Sequence, residues 1–190
     1  MNHVKEVFYK PPFVGILAFL IVFLTQGLGH TLMVLVEKIL GLEFQYQGAF
    51  YLGLFGAVLL FIGMRKENEV PATWLGYFAG LFLWTGWVEF SFVFYAEYLE
   101  VEQILSDGTI NRFPEYLLMQ SSIGVLLTTL LYFLFNRETK CNFFKWIQRN
   151  LKLSTGKPTS GYPRNFAAIT ALETIYVIWF FYIILLLLYE

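Results

Sequence analysis

The chain alternates between long blocks of apolar residues and short polar connections, a pattern that predicts membrane-spanning segments. A helix needs roughly 20 residues to cross a hydrocarbon core of about 30 Å. The blocks are expected to be helical, because an open sheet edge leaves backbone polar groups unpaired in lipid. The pattern therefore predicts an all-α, polytopic membrane protein, a single domain over 1–190 with five transmembrane helices at about 13–36, 46–64, 72–98, 116–135 and 166–189.

The basic residues between these blocks predict the orientation of the chain. Lys and Arg accumulate in cytoplasmic loops. Of the 13 basic residues, Lys38 and Arg112 fall on one side of the predicted spans. The other eleven fall on the opposite side: Lys5, Lys10, Arg65, Lys66, Arg137, Lys140, Lys145, Arg149, Lys152, Lys157 and Arg164. We therefore expect the N-terminus inside the cell and the C-terminus outside.

The connection 136–165 lies on the predicted cytoplasmic side and has two parts. The first part, CNFFKWIQRNLK, mixes aromatic and basic residues, which is typical of an amphipathic helix on an anionic lipid surface. The second part, STGKPTSGYP, is rich in turn-forming residues and predicts a flexible linker. The first part serves either as a membrane-surface anchor or as a docking site for a cytoplasmic partner, and the anchor is the commoner role.

Composition narrows the chemistry that the chain can carry. Of 190 residues, 57% are hydrophobic and 14% are charged, and the net charge of −1 gives no sign of nucleic-acid binding. The single cysteine, Cys141, excludes an internal disulfide and an iron–sulfur cluster ligated within one chain. Bis-histidine ligation of haem b is excluded as well, because one of the two histidines, His3, lies in the polar N-terminal tail.

Glu89 is the acidic residue that lies deepest in the third predicted span. It precedes Tyr95 by six residues, which places it roughly 9 Å below the end of the apolar block. An acidic side chain at that depth is costly unless it is protonated, paired or hydrated, and it marks a candidate functional site. His30 lies at the same height in the first span, and the fourth span brings Gln120 to that level. The sequence therefore predicts a cluster of Glu89, His30 and Gln120 that faces outward.

Two interpretations of this cluster remain open. In one, Glu89 and His30 form a structural interhelical hydrogen bond, worth about 0.6–2 kcal/mol in membrane helices. In the other, they form a proton- or cation-binding site below an acidic outer vestibule of Glu37, Glu97 and Glu100. A metal ion held by Glu89 and His30 is less favoured, because two side chains and an amide are few ligands for a transition metal.

Aromatic residues are also frequent around Glu89. Trp84, Trp87 and Phe90 lie near the acid in sequence and predict a ligand pocket for an apolar molecule such as a quinone or a lipid. Packing of these rings against lipid is the commoner arrangement. A second acid, Glu173, lies in the fifth span nearer the cytoplasmic end. It either continues a proton path inward or extends to the interface beside Arg164, and the second role is favoured.

Gly76 and Gly80 form a GxxxG pattern on the third span. Such small residues let two helices approach closely, either within one chain or between copies. Packing within the chain is the commoner use, and we expect it here.

Three functions are compatible with these features. The first is a membrane subunit that handles protons or cations at the His30/Glu89 cluster. The second is a structural or accessory subunit with no chemistry of its own. The third is an intramembrane enzyme or a lipid- or quinone-binding protein that uses the aromatic pocket. A chain of 190 residues is small for a stand-alone transporter, so we expect a homo-oligomer or a subunit of a larger membrane assembly, surrounded by lipid in a bacterial cytoplasmic (inner) membrane. No particular cofactor is indicated.

Overall fold

The structure is a computed structural model that describes residues 13–101, 104–106, 109–153, 157, 160–161 and 163–188. His3, Lys5, Lys10 and the last residue of the fifth predicted span, Tyr189, lie outside the described residues. The described chain is almost entirely helical. Five of its helices are long and apolar enough to span a membrane: Ile16–Gly41, Glu43–Met64, Glu69–Tyr98, Pro114–Phe135 and Phe166–Leu188. The prediction of an all-α, five-span membrane protein is confirmed.

The first two spans form a tight helical hairpin. One helical stretch, Phe13–Met64, is divided by a non-helical residue at Gly41 (φ 73°, ψ 171°) into α1 (Ile16–Gly41) and α2 (Glu43–Met64). A positive φ is accessible to glycine at little cost. The two helices then run back along each other. They approach so closely after the turn that a Cβ at Gly48 would meet the side chain of Leu40. The loop expected at 37–45 is therefore helical on both sides of a single turning residue.

The third span is the centre of the bundle and consists of three parts. They are α3 (Glu69–Leu83), a π-helical turn (Trp84–Glu89) and α4 (Phe90–Tyr98). Asn68 is the N-cap of α3, and its side-chain oxygen accepts a hydrogen bond from the Val70 N–H at 3.2 Å. This span packs against α1 and α2 on one side and against the fifth span on the other.

A short β-hairpin follows α4. Strand β1 (Ile104–Ser106) pairs with β2 (Thr109–Arg112) in antiparallel register, with Leu105 opposite Ile110. This small sheet lies outside the spans and was not expected from the apolar pattern. The fourth span then runs as α5 (Pro114–Ser121) and α6 (Ile123–Phe135), with a break at Ser122.

The predicted amphipathic segment is the helix α7 (Asn142–Asn150). Its inner face buries Phe144 and Gln148, while Phe143 and Trp146 on the other face are exposed. The Gln148 side-chain amide donates to the Leu134 carbonyl at 2.7 Å, which ties α7 to the end of α6. Helix α8 (Phe166–Leu188) is the fifth span.

The third span and α8 pack with their backbones close together. A Cβ at Gly76 would lie 2.3 Å from the Ala167 carbonyl oxygen, and one at Gly80 would lie 2.7 Å from the Ala171 carbonyl oxygen. The GxxxG pattern is thus used within the chain, as expected. The main hydrophobic core extends from this contact between the third span, α5, α6, α7 and α8; its buried residues are Leu81, Trp84, Met119, Leu126, Cys141, Phe144, Tyr176, Ile178 and Ile183.

The two ends of the bundle carry opposite charges. We call the end where α1 meets α2 and α4 ends, with Glu37 and Glu97, the acidic end. We call the end where α2 and α6 end and α8 begins, with Arg65, Arg137 and Arg164, the basic end.

Candidate functional site around Glu89

Glu89 is the last residue of the π-helical turn that interrupts the third span. At its end the backbone N–H of Phe90 donates to the Thr85 carbonyl, five residues back. Turns of this kind are frequent at functional sites. Gly86, inside the turn, permits a close contact with α2, since a Cβ there would lie 2.4 Å from the Gly53 nitrogen. The turn is therefore held tightly against a neighbouring helix.

The two oxygens of the Glu89 carboxylate have different surroundings. The side chain is 5% exposed. Its Oε1 accepts a hydrogen bond from the Tyr182 hydroxyl at 2.9 Å and lies 3.9 Å from Nδ1 of His30. Its Oε2 is buried and has no hydrogen-bond partner among the described residues. The carboxylate thus keeps one oxygen for a further donor.

His30 connects this buried carboxylate with the outside of the bundle. It lies on α1, and its side chain is 49% exposed. When the imidazole is protonated, its charge attracts the Glu89 carboxylate across 3.9 Å. The structure therefore brings together the two residues that the sequence placed at one height.

Tyr182 is the contact that sequence reasoning missed. It donates to Glu89 from α8, so three spans meet at the carboxylate. Tyrosines near the ends of membrane spans usually lie at the membrane–water interface. Tyr182, however, lies seven residues before the predicted end of its span, as deep as Glu89, and this depth is the signal that could have identified it.

Gln120, the third predicted member of the cluster, makes a contact with α8. Its side-chain amide donates to the Leu186 carbonyl at 3.5 Å, one helical turn from Tyr182. Ser122, two residues on, accepts a hydrogen bond from the Trp179 indole at 2.8 Å. These polar residues of the fourth span therefore attach it to α8.

The predicted vestibule residues lie at the acidic end. The charge of Glu37 lies close enough to interact with those of His30, Glu89 and Glu97. Glu97 is further tied to α2, because its Oε2 accepts a hydrogen bond from the Tyr46 hydroxyl at 2.5 Å.

A third acid, Glu115 at the start of α5, interacts electrostatically with both Glu37 and Glu97. Glu100 is exposed on the turn after α4, with a positive φ of 50°. The acidic mouth over Glu89 thus consists of Glu37, Glu97 and Glu115.

The three predicted pocket aromatics contact three different neighbours. Trp84 is fully buried and packs on α8 against Trp179, with ring centroids 6.0 Å apart. Trp87 is 42% exposed and donates through its indole N–H to the Phe50 carbonyl at 3.1 Å. Phe90 is buried against α1 and α2. Trp84 therefore faces α8, whereas Trp87 and Phe90 both contact α2.

Among the described residues, no group of three or more His, Cys, Asp or Glu side chains could hold a metal ion. Glu89 and His30 alone supply two ligands, and the Tyr182 hydroxyl occupies one of the carboxylate oxygens. Within the described part of the chain, the structure therefore adds no third His, Cys, Asp or Glu ligand for a metal ion at Glu89 and His30.

A cavity of about 700 Å³ lies at the basic end, between α6, α7 and α8. Its lining combines apolar side chains, such as Phe133, Phe144 and Leu172, with polar and charged ones that include Cys141, Glu173 and Tyr176. The Cys141 thiol lies 3.3 Å from the Tyr176 hydroxyl. This site was not predicted, because residues from three helices and the connections between them form it.

Glu173 takes part in this cavity and also interacts with the positive charge of Arg164. It lies nine residues from Tyr182 on α8, roughly 13 Å along the helix. The interaction with Arg164 agrees with the role favoured from the sequence, in which Glu173 extends toward the interface beside this residue. A proton path that continues inward from Glu89 to Glu173 stays a prediction.

We expect Cys141 to react slowly with alkylating reagents. Burial raises the pKa of its thiol, and the negative charge of Glu173 raises it further, so the reactive thiolate is scarce at neutral pH. Iodoacetamide labelling should be slower in the folded protein than in SDS-unfolded chain, and Glu173→Gln should accelerate it. The pH profile of the rate provides the measurement. Equal labelling rates in folded and unfolded protein would contradict the burial of the Cys141 thiol beside Glu173.

Comparisons with protein-family models, with curated proteins and with solved structures each found no match to this chain.

Proposed function

We propose that this integral membrane protein binds a proton or a cation at Glu89. The observation that supports this function is a carboxylate that is 5% exposed within an apolar span and leaves Oε2 without a partner among the described residues. Buried ionisable residues in membrane spans commonly serve ion or proton pathways. A purely structural carboxylate is expected to use both oxygens in hydrogen bonds, because each unpaired oxygen has a desolvation cost.

The neighbours of Glu89 suit an exchange between charged and neutral forms. The Tyr182 hydroxyl donates to Oε1, and a hydrogen bond to the ionised form stabilises it. His30, when protonated, stabilises the same form through its charge. The neutral form carries its proton on Oε2. Because the His30 imidazole is half-exposed and lies beside Oε1, it is the side chain that passes a proton between Glu89 and the surface of the bundle.

The acidic mouth supports the same function. Glu37, Glu97 and Glu115 lie at the end of the bundle nearest to Glu89 and repel one another electrostatically. A group of like charges of this kind raises the local concentration of cations, including protons.

This function is tested by measuring whether the purified protein in lipid nanodiscs binds protons or cations. We expect one proton or one cation to bind per chain, with a change in the infrared absorption of a single carboxyl group. That band should be missing from a Glu89→Gln variant. A protein that binds neither protons nor cations in this assay would contradict the proposal.

We further propose that the acidic mouth faces the outside of a bacterial cytoplasmic membrane and the basic end faces the cytoplasm. The excess of Lys and Arg at the basic end supports this orientation. The exposed aromatic and basic residues of α7, among them Trp146 and Arg149, then lie where an anionic inner leaflet would bind them.

Single-cysteine labelling tests the orientation. In a Cys141→Ser background, Lys145→Cys should react with an impermeant maleimide only after permeabilisation. Asp107→Cys, in the loop and outside the described residues, should react in intact cells. Labelling at position 107 only after permeabilisation would reverse the orientation.

A partner chain is part of the proposal. His30 is half-exposed at a depth where lipid offers no hydrogen bond, so a contact with a second membrane protein or a second copy would satisfy its exposed side. The alternative of an accessory subunit with no chemistry of its own requires the same partner but no uptake at Glu89. The uptake assay therefore separates the two functions.

Binding of an apolar ligand is the second candidate function. The cavity at the basic end supports it, because about 700 Å³ is within the usual range of small-molecule sites, and apolar side chains such as Phe133, Phe144 and Leu172 form one part of its wall beside polar and charged ones. This cavity lies apart from Trp84, Trp87 and Phe90, the residues first considered for such a pocket.

A further inference from the structure

The π-helical turn contains more unpaired polar groups than Glu89 alone. Three buried side-chain atoms lack a hydrogen-bond partner among the described residues: Nε1 of Trp84, Oγ1 of Thr85 and Oε2 of Glu89. All three belong to the six residues of this turn, and the first two side chains are 0% exposed. Buried polar atoms are normally paired, so their concentration in one turn calls for a shared partner.

Trp84 and Thr85 lie against the same neighbouring segments that hold the Glu89 carboxylate. Thr85 faces α1, because its Oγ1 lies 2.9 Å from where a Cβ of Gly29 would be, and Glu89 contacts the next residue, His30. Trp84 stacks on Tyr182 with ring centroids 6.0 Å apart, and the Tyr182 hydroxyl donates to Glu89. Trp84 and Glu89 are five residues apart, the repeat of a π-helical hydrogen bond.

The three groups differ in what they can bind. An indole N–H only donates, a hydroxyl both donates and accepts, and an ionised carboxylate only accepts. A dehydrated metal cation would be coordinated by the oxygens but would leave the indole N–H unpaired. A water molecule can accept from Trp84, exchange a hydrogen bond with Thr85 and donate to Glu89, so it suits all three groups.

We infer that the π-helical turn binds water between Trp84, Thr85 and Glu89, and that Glu89 exchanges a proton through this water and not a metal cation. The inference rests on the proposed function and specifies its substrate. In the uptake step, a hydronium ion at the water site gives one proton to Oε2 of Glu89. The products are neutral water and a neutral carboxyl group, so atoms and charge balance.

Thermal unfolding in nanodiscs tests the water site by the sign of the effect. If water is bound, Thr85→Val and Trp84→Phe each remove a hydrogen bond and should lower the unfolding midpoint by several degrees. If Oγ1 is truly unpaired, Thr85→Val removes a buried unsatisfied group and should raise the midpoint. Trp84→Phe also leaves a cavity, so it is read against a Trp→Phe change elsewhere in the core that breaks a known hydrogen bond. A raised midpoint in Thr85→Val would overturn the inference.

Two matched controls are available in α8 for these substitutions. Thr174 is buried, and its hydroxyl donates to the Thr170 carbonyl at 2.8 Å. The Trp179 indole donates to the Ser122 hydroxyl at 2.8 Å. Thr174→Val and Trp179→Phe therefore report the loss of a hydrogen bond with a known protein partner. Under the inference, Thr85→Val and Trp84→Phe lower the midpoint at least as much as these controls.

The identity of the exchanged species is tested by an infrared titration of Glu89 in NaCl, KCl and CaCl₂. We expect the titration midpoint to be independent of the cation and the rate of proton uptake to fall in Thr85→Val but not in Thr174→Val. A midpoint that moves with one of the cations would overturn the inference and leave the proposed function standing. Absence of both titration and cation binding would overturn the proposed function and, with it, the proton assignment.

Discussion

The Gly76→Leu substitution should destabilise the bundle by about 3 kcal/mol, the upper end of the usual cost of overpacking. A Cβ at this position would lie 2.3 Å from the carbonyl oxygen and 2.8 Å from the Cα of Ala167. These are backbone atoms of α8, which cannot rotate away as a side chain can, so the third span and α8 must separate. The unfolding free energy in mixed detergent and SDS is the measurement.

Gly124→Leu is the matched control for this prediction. Gly124 lies in α6, and within the described chain no heavy atom lies within 4 Å of a Cβ built there. Its replacement should keep or slightly raise the stability, since glycine costs about 0.5–1 kcal/mol in a helix relative to alanine. Equal stability of the two variants would contradict the close contact of the third span with α8. If Gly76→Leu changed the oligomeric state and left the unfolding free energy unchanged, the GxxxG pattern would instead form a contact between copies of the chain.

Glu89→Gln should abolish uptake at Glu89 while the protein stays folded. The amide has nearly the shape of the carboxylate, and its oxygen can still accept the hydrogen bond from Tyr182. The amide cannot exchange a proton or carry the negative charge that attracts a cation. We therefore expect the bound proton or cation to disappear and the unfolding midpoint to remain close to that of the wild type. Uptake in nanodiscs and thermal unfolding of the same sample give both quantities.

Glu173→Gln is the control for the loss of an intramembrane carboxylate. Glu173 lies in the cavity at the basic end, close to Arg164, and no part of the proposed uptake uses it. This variant should retain uptake in full. If Glu89→Gln also retained full uptake, Glu89 would be a structural residue and the proton or cation function would have to be withdrawn.

The heights of Glu89 and His30 could be predicted from the sequence, and the fold agrees with them. Depth in a membrane is counted along the chain, because each helical residue advances about 1.5 Å. Two residues equally far from the same ends of parallel spans must therefore lie at one height. The structure adds that their side chains face each other, with 3.9 Å between Nδ1 and Oε1.

The direction in which a side chain points around its helix could not be predicted. Gln120 was placed at the level of Glu89, and in the structure its side-chain amide donates to the Leu186 carbonyl of α8. Trp84, Trp87 and Phe90 were grouped because they are close in sequence, but Trp84 packs against α8, whereas Trp87 and Phe90 contact α2.

The sequence by itself determined five spans, an all-helical membrane fold and the depth of each ionisable residue, because apolar length and the helical rise are properties of the chain alone. Only the tertiary structure decided that Tyr182 joins Glu89, that a π-helical turn carries the site, and that Cys141 and Glu173 share a cavity. The physical reason is that a span such as α8 is mostly apolar and has no separate polar and apolar faces, so its sequence does not indicate which residues turn inward. Which residues turn inward depends on how closely two helices can pack, as they do between Gly76 and Ala167.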